Sequence, residues 1–270
     1  MNTAAIVLAA GAGTRMKSKK PKVAHEILGK PLVRWVVDAA REAGADRIVS
    51  VVGHAREIVE PLVSDTEVVV QKAQRGTADA VLTCKEALAG FDGSLLVLSG
   101  DCPLITPDTI RELADMRARS NAAVVVLTME LDDPFGYGRI IRDGEGRVER
   151  IVEQKDANAA EAAVTECNSG FYCFDAQALF EALEQVGSDN AQGEFYLTDV
   201  LEICRGAGRD VLALPARRPR VPRRELARPA GRGDVRPAVA HQQGAHGGGR
   251  HHVGPDLGVD RPRRGNRARC

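Results

Sequence analysis

Residues 5–16 have the sequence AIVLAAGAGTRM, and this stretch is the most informative about the fold. The apolar run at residues 5–10 is short and uninterrupted, which is typical of a strand buried on both faces of a parallel sheet. It leads directly into Gly11 and Gly13, whose missing side chains let backbone N–H groups approach a phosphate closely. The pattern predicts a buried strand followed by a phosphate loop, with an ordinary glycine turn as the alternative.

The residues of this loop exclude two familiar phosphate-binding motifs. The dinucleotide-binding fingerprint requires a third glycine at the position where Met16 stands. A Walker loop requires a Gly-Lys-Ser/Thr sequence, which does not follow here. What remains is a phosphate loop that contains Arg15, whose guanidinium stays charged at physiological pH.

Strand and helix patterns alternate along the next hundred residues. Short apolar runs predict strands, and apolar residues at helical spacing predict helices between them. The predicted strands are residues 5–10, 47–52, 68–71, 94–98 and 122–128, and the predicted helices are residues 31–43, 57–63, 77–89 and 109–119. Residues 138–142, 148–153 and 170–174 predict strands of an added mixed region. This alternation predicts an α/β fold of the doubly wound, Rossmann-like kind, with a mostly parallel sheet covered by helices on both faces.

Four lysines lie close together just after the glycine loop, at positions 17, 19, 20 and 22 around Pro21. One interpretation is a solvated basic loop. The other is a cradle for a triphosphate, in which Pro21 fixes the backbone before Lys22. In that case Arg15 and Lys22 would neutralise the charge on an α-phosphate under attack.

An acidic residue, Asp101, follows the predicted strand at residues 94–98, within the sequence SGDCPL at residues 99–104. Ligands of open α/β sheets bind at the carboxyl ends of the strands. A carboxylate there can hold Mg²⁺ against phosphate oxygens. An aspartate that only begins a turn is the alternative interpretation.

Taken in order, these segments resemble the nucleotidyltransferase family. The shared signature is LAAGAGTRM at residues 8–16, Pro-Lys at residues 21–22 and GDCPL at residues 100–104. More specific blocks resemble the uridylyltransferase domain of the GlmU family of bifunctional N-acetylglucosamine-1-phosphate uridylyltransferase/glucosamine-1-phosphate acetyltransferases. These blocks are Gln71 with GTA at 76–78, DDPFGYGRI at 132–140, IVEQKDA at 151–157, NSG at 168–170 and NAQGEFYLTD at 190–199. The resemblance covers about residues 4–214.

The resemblance implies roles for the matching positions. The residues implied to hold the uracil and ribose are Leu8, Ala9, Ala10, Gly11, Gln71, Gly76 and Thr77. Arg15 and Lys22 would bind the triphosphate, and Asp101 would bind Mg²⁺. Those implied to contact the N-acetylglucosamine part are Gly138, Glu153 and Asn168, while Gly13, Ser99 and Gly100 would line the site. For Glu153 and Asn168, ordinary hydrogen bonding at a strand end is the alternative.

The implied reaction is a direct displacement between UTP and N-acetylglucosamine-1-phosphate. The phosphate of the sugar attacks the α-phosphorus of UTP, and pyrophosphate leaves. Arg15, Lys22 and Mg²⁺ would supply positioning and charge neutralisation. The competing interpretations are another hexose-1-phosphate nucleotidyltransferase, or an inactive nucleotide-binding or regulatory protein.

Composition indicates a cytoplasmic protein without membrane or nucleic-acid partners. The six cysteines are scattered and form no CxxC pair, which favours reduced thiols over disulfides or a zinc site. No apolar run is long enough to span a bilayer. The apolar run near the N-terminus lacks a preceding basic region, so we do not expect a signal peptide.

Residues 217–270 differ sharply in composition from residues 1–216. They contain fourteen Arg, four acidic residues and no Lys, Ile or Phe, so their formal charge is +10 against −10 for the rest of the chain. Such a segment buries too little apolar surface to offset its ordering entropy, so we expect a disordered tail. A basic tail that binds nucleic acid is the alternative.

The tail has the composition of GC-rich DNA translated out of frame. With suitable synonymous codons, residues 217–228 shifted by one base give DDPESLGVNSR, which contains a GVN block typical of the GlmU family. Our hypothesis is one inserted nucleotide near codon 217. In the family that block supplies a second Mg²⁺ ligand, and a following β-helix domain performs acetyl transfer and forms homotrimers. We therefore expect from this chain weak or absent uridylyl transfer, no acetyl transfer and a monomeric state.

Overall fold

The computed structural model describes residues 2–11, 13, 18 and 20–216. The predicted tail at residues 217–270 lies outside the described residues, so its predicted disorder stays a prediction. The strands are β1 Thr3–Ala9, β2 Glu26–Ile27, β3 Lys30–Pro31, β4 Arg47–Val52, β5 Glu67–Val70, β6 Ser94–Ser99, β7 Val124–Glu130, β8 Arg139–Arg142, β9 Val148–Val152, β10 Glu166–Asp175 and β11 Val211–Pro215. The helices are α1 Leu32–Glu42, α2 Arg56–Val59, α3 Thr77–Leu82, α4 Pro107–Ser120, α5 Ala159–Ala162, α6 Ala176–Leu183 and α7 Asp199–Gly206.

Nine of these strands form one mixed, mostly parallel sheet, as predicted. Seven of them follow the order β11-β7-β10-β6-β1-β4-β5, and β8 and β9 extend from β10. β1 lies between β6 and β4 and is parallel to both, whereas β10 runs antiparallel to β6 and β7. Because the chain moves from β1 to β4 on one side and later to β6 on the other, the strand order reverses at β1. The carboxyl ends of β1 and β6 are therefore where an open α/β sheet binds its ligand.

Helices cover both faces of this sheet, and the side chains of β1 alternate between two cores. Ile6 packs in one core with residues of α3, α6 and α7, and Val7 packs in the other with residues of α1 and α4. Both side chains are fully buried. Burial on both faces explains why β1 reads as an uninterrupted apolar run instead of an alternating one. Among the described residues, no helix is long and apolar enough to cross a membrane.

Side chains set the ends of several helices. Pro107 is the first residue of α4, and the preceding Thr106 accepts a hydrogen bond from the backbone N–H of Thr109 at 3.2 Å. In α6 the capping residue is Asp175, which accepts from the backbone N–H of Ala178 at 3.0 Å. These caps satisfy N–H groups that have no partner within their own helix.

Two predicted helices are wrong in extent. Residues 57–63 form α2 and then a separate 3-10 turn at Glu60–Val63, because Pro61 has no N–H to continue the α-helical ladder. The helix predicted at residues 77–89 ends at Leu82. There the Thr83 hydroxyl donates to the carbonyl of Ala80 at 2.7 Å, and Cys84 N–H bonds to the carbonyl three residues back. This side-chain bond competes with the helical pattern.

Candidate active site

A cleft opens at the carboxyl ends of β1, β5 and β6, with a volume of about 420 Å³. Its lining comes from the ends of these strands, the loops that follow them, the start of α3 and the segment before α7. The lining residues are Leu8, Ala10, Gly11, Gly13, Lys22, Val23, Gln71, Gln74, Gly76, Thr77, Ala80, Ser99, Asp101 and Glu194. The cleft therefore lies at the sheet edge where the strand order reverses.

Most of the predicted nucleotide-site residues meet in this cleft, from Leu8 in β1 to Asp101 after β6. Ala9 does not, because its side chain is 2% exposed and packs in the core beneath the cleft. Gly100 lies behind the lining, where a Cβ atom would stand 2.7 Å from the carbonyl oxygen of Leu8. Arg15 lies outside the described residues, so its predicted role stays a prediction.

Lys22 and Asp101 form the charged pair of the cleft. The Lys22 ammonium donates to Asp101 Oδ2 at 2.7 Å, with both side chains partly exposed. Gly13 has a φ of +60°, and a Cβ atom there would stand 2.7 Å from Lys22 Cβ. The glycine loop and the lysine segment therefore approach more closely than a side chain at position 13 would allow. Buried Val23 and Ala24 anchor the turn that begins at Lys22.

The first turn of α3 is locked to the segment around Phe195. Gly76 has a φ of +125°, and a Cβ atom there would stand 2.3 Å from the carbonyl oxygen of Phe195. That carbonyl accepts from the backbone N–H of Ala78 at 2.9 Å, and the Thr77 hydroxyl accepts from the backbone N–H of Leu197 at 2.9 Å. These contacts explain how the GTA segment at residues 76–78 and the NAQGEFYLTD block at residues 190–199, far apart in sequence, build one wall.

Two glutamines fix the backbone of the same wall. Gln71 is 5% exposed, and its Nε2 donates to the carbonyl of Gly76 at 3.1 Å and to Asp79 Oδ2 at 2.8 Å. Gln74 Nε2 donates to the carbonyl of Ala10 at 3.1 Å and so connects the wall to the end of β1. The sequence motifs did not indicate Gln74, which lies between Gln71 and the GTA segment at residues 76–78.

Three other missed lining residues are Val23, Ala80 and Glu194. Val23 and Ala80 lie near the predicted site residues Lys22 and Thr77 but are apolar, so their side chains do not indicate a ligand site. Glu194 belongs to the NAQGEFYLTD block, and only the packing of Phe195 against Gly76 brings it to the cleft. Position in a family block is the one signal that could have pointed to it.

The three residues predicted to contact the sugar form a second group next to the cleft. The backbone N–H of Asn168 donates to the carbonyl of Gly138 at 2.9 Å. A Cβ atom at Gly138 would stand 3.3 Å from Glu153 Oε1. Burial raises the pKa of the Glu153 carboxyl, although a hydrogen bond from Thr198 acts in the opposite direction. The structure therefore brings Gly138, Glu153 and Asn168 together, although they do not line the 420 Å³ cleft.

Short contacts across β6 and β10 connect the two groups. The Ser99 hydroxyl donates to the carbonyl of Gly170 at 3.1 Å, and the N–H of Gly170 donates to Asn168 Oδ1 at 3.0 Å. A Cβ atom at Gly170 would stand 2.8 Å from Ser99 Oγ, so glycine permits this approach. Asn168 Nδ2 donates to the Tyr172 hydroxyl at 2.6 Å, which fixes the amide. Ser99 thus belongs to the cleft and also touches the strand that carries Asn168.

A buried arginine holds the loop before Gly138, and sequence reasoning missed it. Arg139 is 1% exposed, and its Nη2 donates to Gln154 Oε1 at 2.8 Å. The same oxygen accepts from the backbone N–H of Gly136 at 2.9 Å. Arg139 also bonds to the carbonyl of Tyr137. The position of Gly138 is therefore set by side chains on both sides of the β8–β9 hairpin.

Comparison with known proteins agrees with this geometry. Residues 5–203 match the family of MobA-like NTP transferase domains. The chain is 55% identical over 207 residues to the bifunctional protein GlmU of Lactobacillus helveticus, covering 76% of this chain and 45% of the relative. It is 49% identical over 219 residues to the bifunctional protein GlmU of Geobacter metallireducens, covering 80% of this chain and 46% of the relative.

The chain thus spans about half the length of the curated relatives it matches. A crystal structure of UDP-glucose pyrophosphorylase complexed with UDP-glucose has the same fold, with a TM-score of 0.64 at 22% identity. That match covers 80% of this chain and 90% of the other. These similarities confirm the nucleotidyltransferase fold and the resemblance to GlmU that the motifs predicted. The chain belongs to the family of MobA-like NTP transferase domains.

Proposed function

We propose that this chain transfers a uridylyl group from UTP to N-acetylglucosamine-1-phosphate, giving UDP-N-acetylglucosamine and pyrophosphate. The observation that carries the proposal is the Lys22–Asp101 pair, 2.7 Å apart at the reversal point of the sheet. A cation suited to phosphate and a carboxylate suited to a metal ion thus meet at the sheet edge where open α/β folds bind their ligands. The similarity to GlmU relatives at about half their length supports the choice of substrates.

In this reaction an oxygen of the sugar phosphate attacks the α-phosphorus of UTP. A new P–O bond forms, the bond to the pyrophosphate oxygen breaks, and pyrophosphate leaves. The nucleophile is already an anion, so no general base is required. The ammonium of Lys22 neutralises charge on the phosphates, and Arg15 is expected to do the same from the glycine loop.

The residues present suit a magnesium ion at Asp101. Mg²⁺ is commonly held by one or two carboxylates together with waters and substrate phosphates, so a single accessible aspartate in a phosphate cleft is sufficient. The Asp101 carboxylate is partly exposed and already binds one cation, the Lys22 ammonium. When bound there, Mg²⁺ would supply charge stabilisation to the reacting phosphates.

The second group would recognise the acceptor sugar. Glu153 and Asn168 offer hydrogen-bonding side chains beside the backbone of Gly138, which has no side chain to block approach. Asn168 is fixed by Tyr172, so its orientation is set before a sugar binds. This arrangement favours a hydroxyl- and amide-bearing hexose over a bare phosphate ester.

Two other functions are compatible with the same cleft. Another hexose-1-phosphate would use the same phosphate chemistry, and an inactive nucleotide-binding protein would keep the cleft without turnover. We favour the N-acetylglucosamine substrate because of the GlmU relatives. Its product would feed cell-wall precursors in the cytoplasm, and we propose a monomeric chain with neither nucleic acid nor membrane as partner.

Calorimetric titration with UDP-N-acetylglucosamine tests the substrate assignment without requiring turnover. We expect binding that UTP displaces, with UDP-glucose at least about 10-fold weaker, since an unmet hydrogen bond in a site costs about 1–3 kcal/mol. An Asn168→Ala variant should lose that preference while keeping affinity for UTP. Equal binding of both nucleotide sugars by the unmodified chain would rule out the assigned acceptor.

A further inference from the structure

The side-chain amide of Gln71 has only one orientation that its surroundings allow. Its Nε2 donates two hydrogen bonds, to the carbonyl of Gly76 at 3.1 Å and to Asp79 Oδ2 at 2.8 Å. Both partner oxygens accept hydrogen bonds, so rotating the amide would place Oε1 against them and lose both contacts. Because both N–H bonds are used within the wall of the cleft, a ligand that reaches this side chain meets the acceptor Oε1.

Asp79 is the residue that enforces this orientation, and it is itself held firmly. Its side chain is 8% exposed, in the first turn of α3. Arg75 donates to Asp79 Oδ1 through Nη2 at 2.6 Å and Nε at 3.2 Å, which leaves Oδ2 for Gln71. The Arg75 guanidinium in turn lies 5.6 Å from the ring centre of Phe195. Asp79 does not line the cleft, so it acts on a ligand only through Gln71.

The fixed orientation of the Gln71 amide would determine which nucleotide base the cleft accepts. This inference rests on the proposed use of UTP as substrate. The uracil ring carries one N–H group, at N3, because N1 is bonded to the ribose. We propose that Asp79 is a positioning residue that selects uracil, by fixing the Gln71 amide so that Oε1 accepts from N3–H. Cytosine has a lone pair at N3, which would face the lone pairs of Oε1. An unpaired polar contact of this kind is a strong source of discrimination.

The test is the substitution Asp79→Asn in the full 270-residue chain. Its amide offers a donor as well as an acceptor, so it permits Gln71 to turn and present N–H groups to the cleft. The affinities for UTP and CTP are measured by calorimetric titration in Mg²⁺. We expect the preference for UTP over CTP to fall about 10-fold or more, while affinity for the sugar phosphate is unchanged. A purely structural role for Asp79 would weaken both nucleotides equally.

Arg75→Gln is the matched control, because it removes the other partner of Asp79 and leaves the Gln71–Asp79 contact. Its preference for UTP should stay within about twofold of the unmodified chain. The unmodified chain tests the premise that Gln71 presents a fixed acceptor, since N3-methyl-UTP and CTP should both bind at least about 10-fold more weakly than UTP. Equal binding of CTP and UTP contradicts the inference.

The outcomes separate this inference from the proposed function. Absence of UTP binding by the unmodified chain overturns both. Clear UTP binding, with a preference over CTP that Asp79→Asn leaves intact, overturns the role of Asp79 alone.

Discussion

At the scale of single residues, the proposed chemistry of the cleft depends on the Lys22–Asp101 pair. The 2.7 Å contact places a cation beside the carboxylate that would hold Mg²⁺. Gly13 packs closely against the Cβ atom of Lys22. The glycine loop therefore sets the position of the lysine side chain together with Asp101. In the proposed reaction the pair would therefore be in position before the phosphates bind.

Substituting Lys22 tests this assignment. Lys22→Ala should lower kcat by about 10²-fold or more, because a charge that stabilises the transition state is lost. The control is Lys85→Ala, which removes an exposed lysine paired with Glu184 on another surface. Steady-state kinetics of both variants provide the comparison. Equal losses in the two variants would exclude a catalytic role for Lys22.

A second prediction concerns Asp199, at the start of α7. Burial raises the pKa of Asp199 to about 6, and the charges of Glu202 and Asp156 act in the same direction. Because the folded-state pKa lies above the ordinary value of 3.8, the protonated form favours folding. Its contribution is complete below about pH 4 and is lost as the pH rises through about 6.

Asp199→Asn should therefore stabilise the protein at pH 8 and change little at pH 3.5. We expect a gain of about 1 kcal/mol, less than the pKa shift alone implies, since the side chain is partly exposed and the helix N-terminus favours its charge. Urea unfolding at both pH values measures it. Asp108→Asn, in the exposed first turn of α4, controls for the helix effect. A loss of stability at pH 8 in the Asp199 variant would refute this interpretation.

At the scale of elements, the start of α3 depends on a glycine for two reasons. Gly76 adopts a φ of +125°. It also lies so close to the backbone of Phe195 that a Cβ atom at this position would clash with it. Conformational strain and steric exclusion therefore coincide at one position. The wall of the cleft is built on this contact, which lies next to the lining residues Thr77 and Glu194.

Gly76→Ala should destabilise the fold by about 2–4 kcal/mol and weaken UTP binding, through both strain and overpacking. Gly90→Ala is the matched control, since Gly90 also has positive φ, +75°, but nothing lies within 4 Å of the point where its Cβ atom would stand. That variant should cost only about 1 kcal/mol. Urea midpoints and UTP titration measure both effects. Similar losses in the two variants would mean that strain alone acts at Gly76.

The elements also show what local sequence patterns can predict. β1 was predictable because burial on both faces leaves an apolar run, and α1 because its apolar spacing ends at Gly44. The helix breaks after Val59 and Leu82 depend on Pro61 and on the hydroxyl of Thr83. The spacing of apolar residues over a whole segment does not reveal the effect of such single residues. Such local competition decides the ends of an element more than its existence.

At the scale of the whole molecule, the site joins residues from segments that are far apart in the sequence. Motifs indicated Lys22, Gln71 and Asp101, because glycine loops and strand ends have recognisable sequences. The connection from Ser99 through Gly170 to Asn168 was not predictable, since it depends on β10 inserting antiparallel between β6 and β7. Asp79 and Arg139 were missed because neither lines the cleft, and each bonds to a glutamine that in turn fixes nearby backbone.

The proposed reaction is tested most directly by formation of UDP-N-acetylglucosamine from UTP and N-acetylglucosamine-1-phosphate, followed with pyrophosphate release. We predict slow product formation that requires Mg²⁺, drops to background in Asp101→Asn, and exceeds the rate with glucose-1-phosphate. Product formation that Asp101→Asn leaves unchanged, or product formed from glucose-1-phosphate at an equal or higher rate, would contradict the assignment.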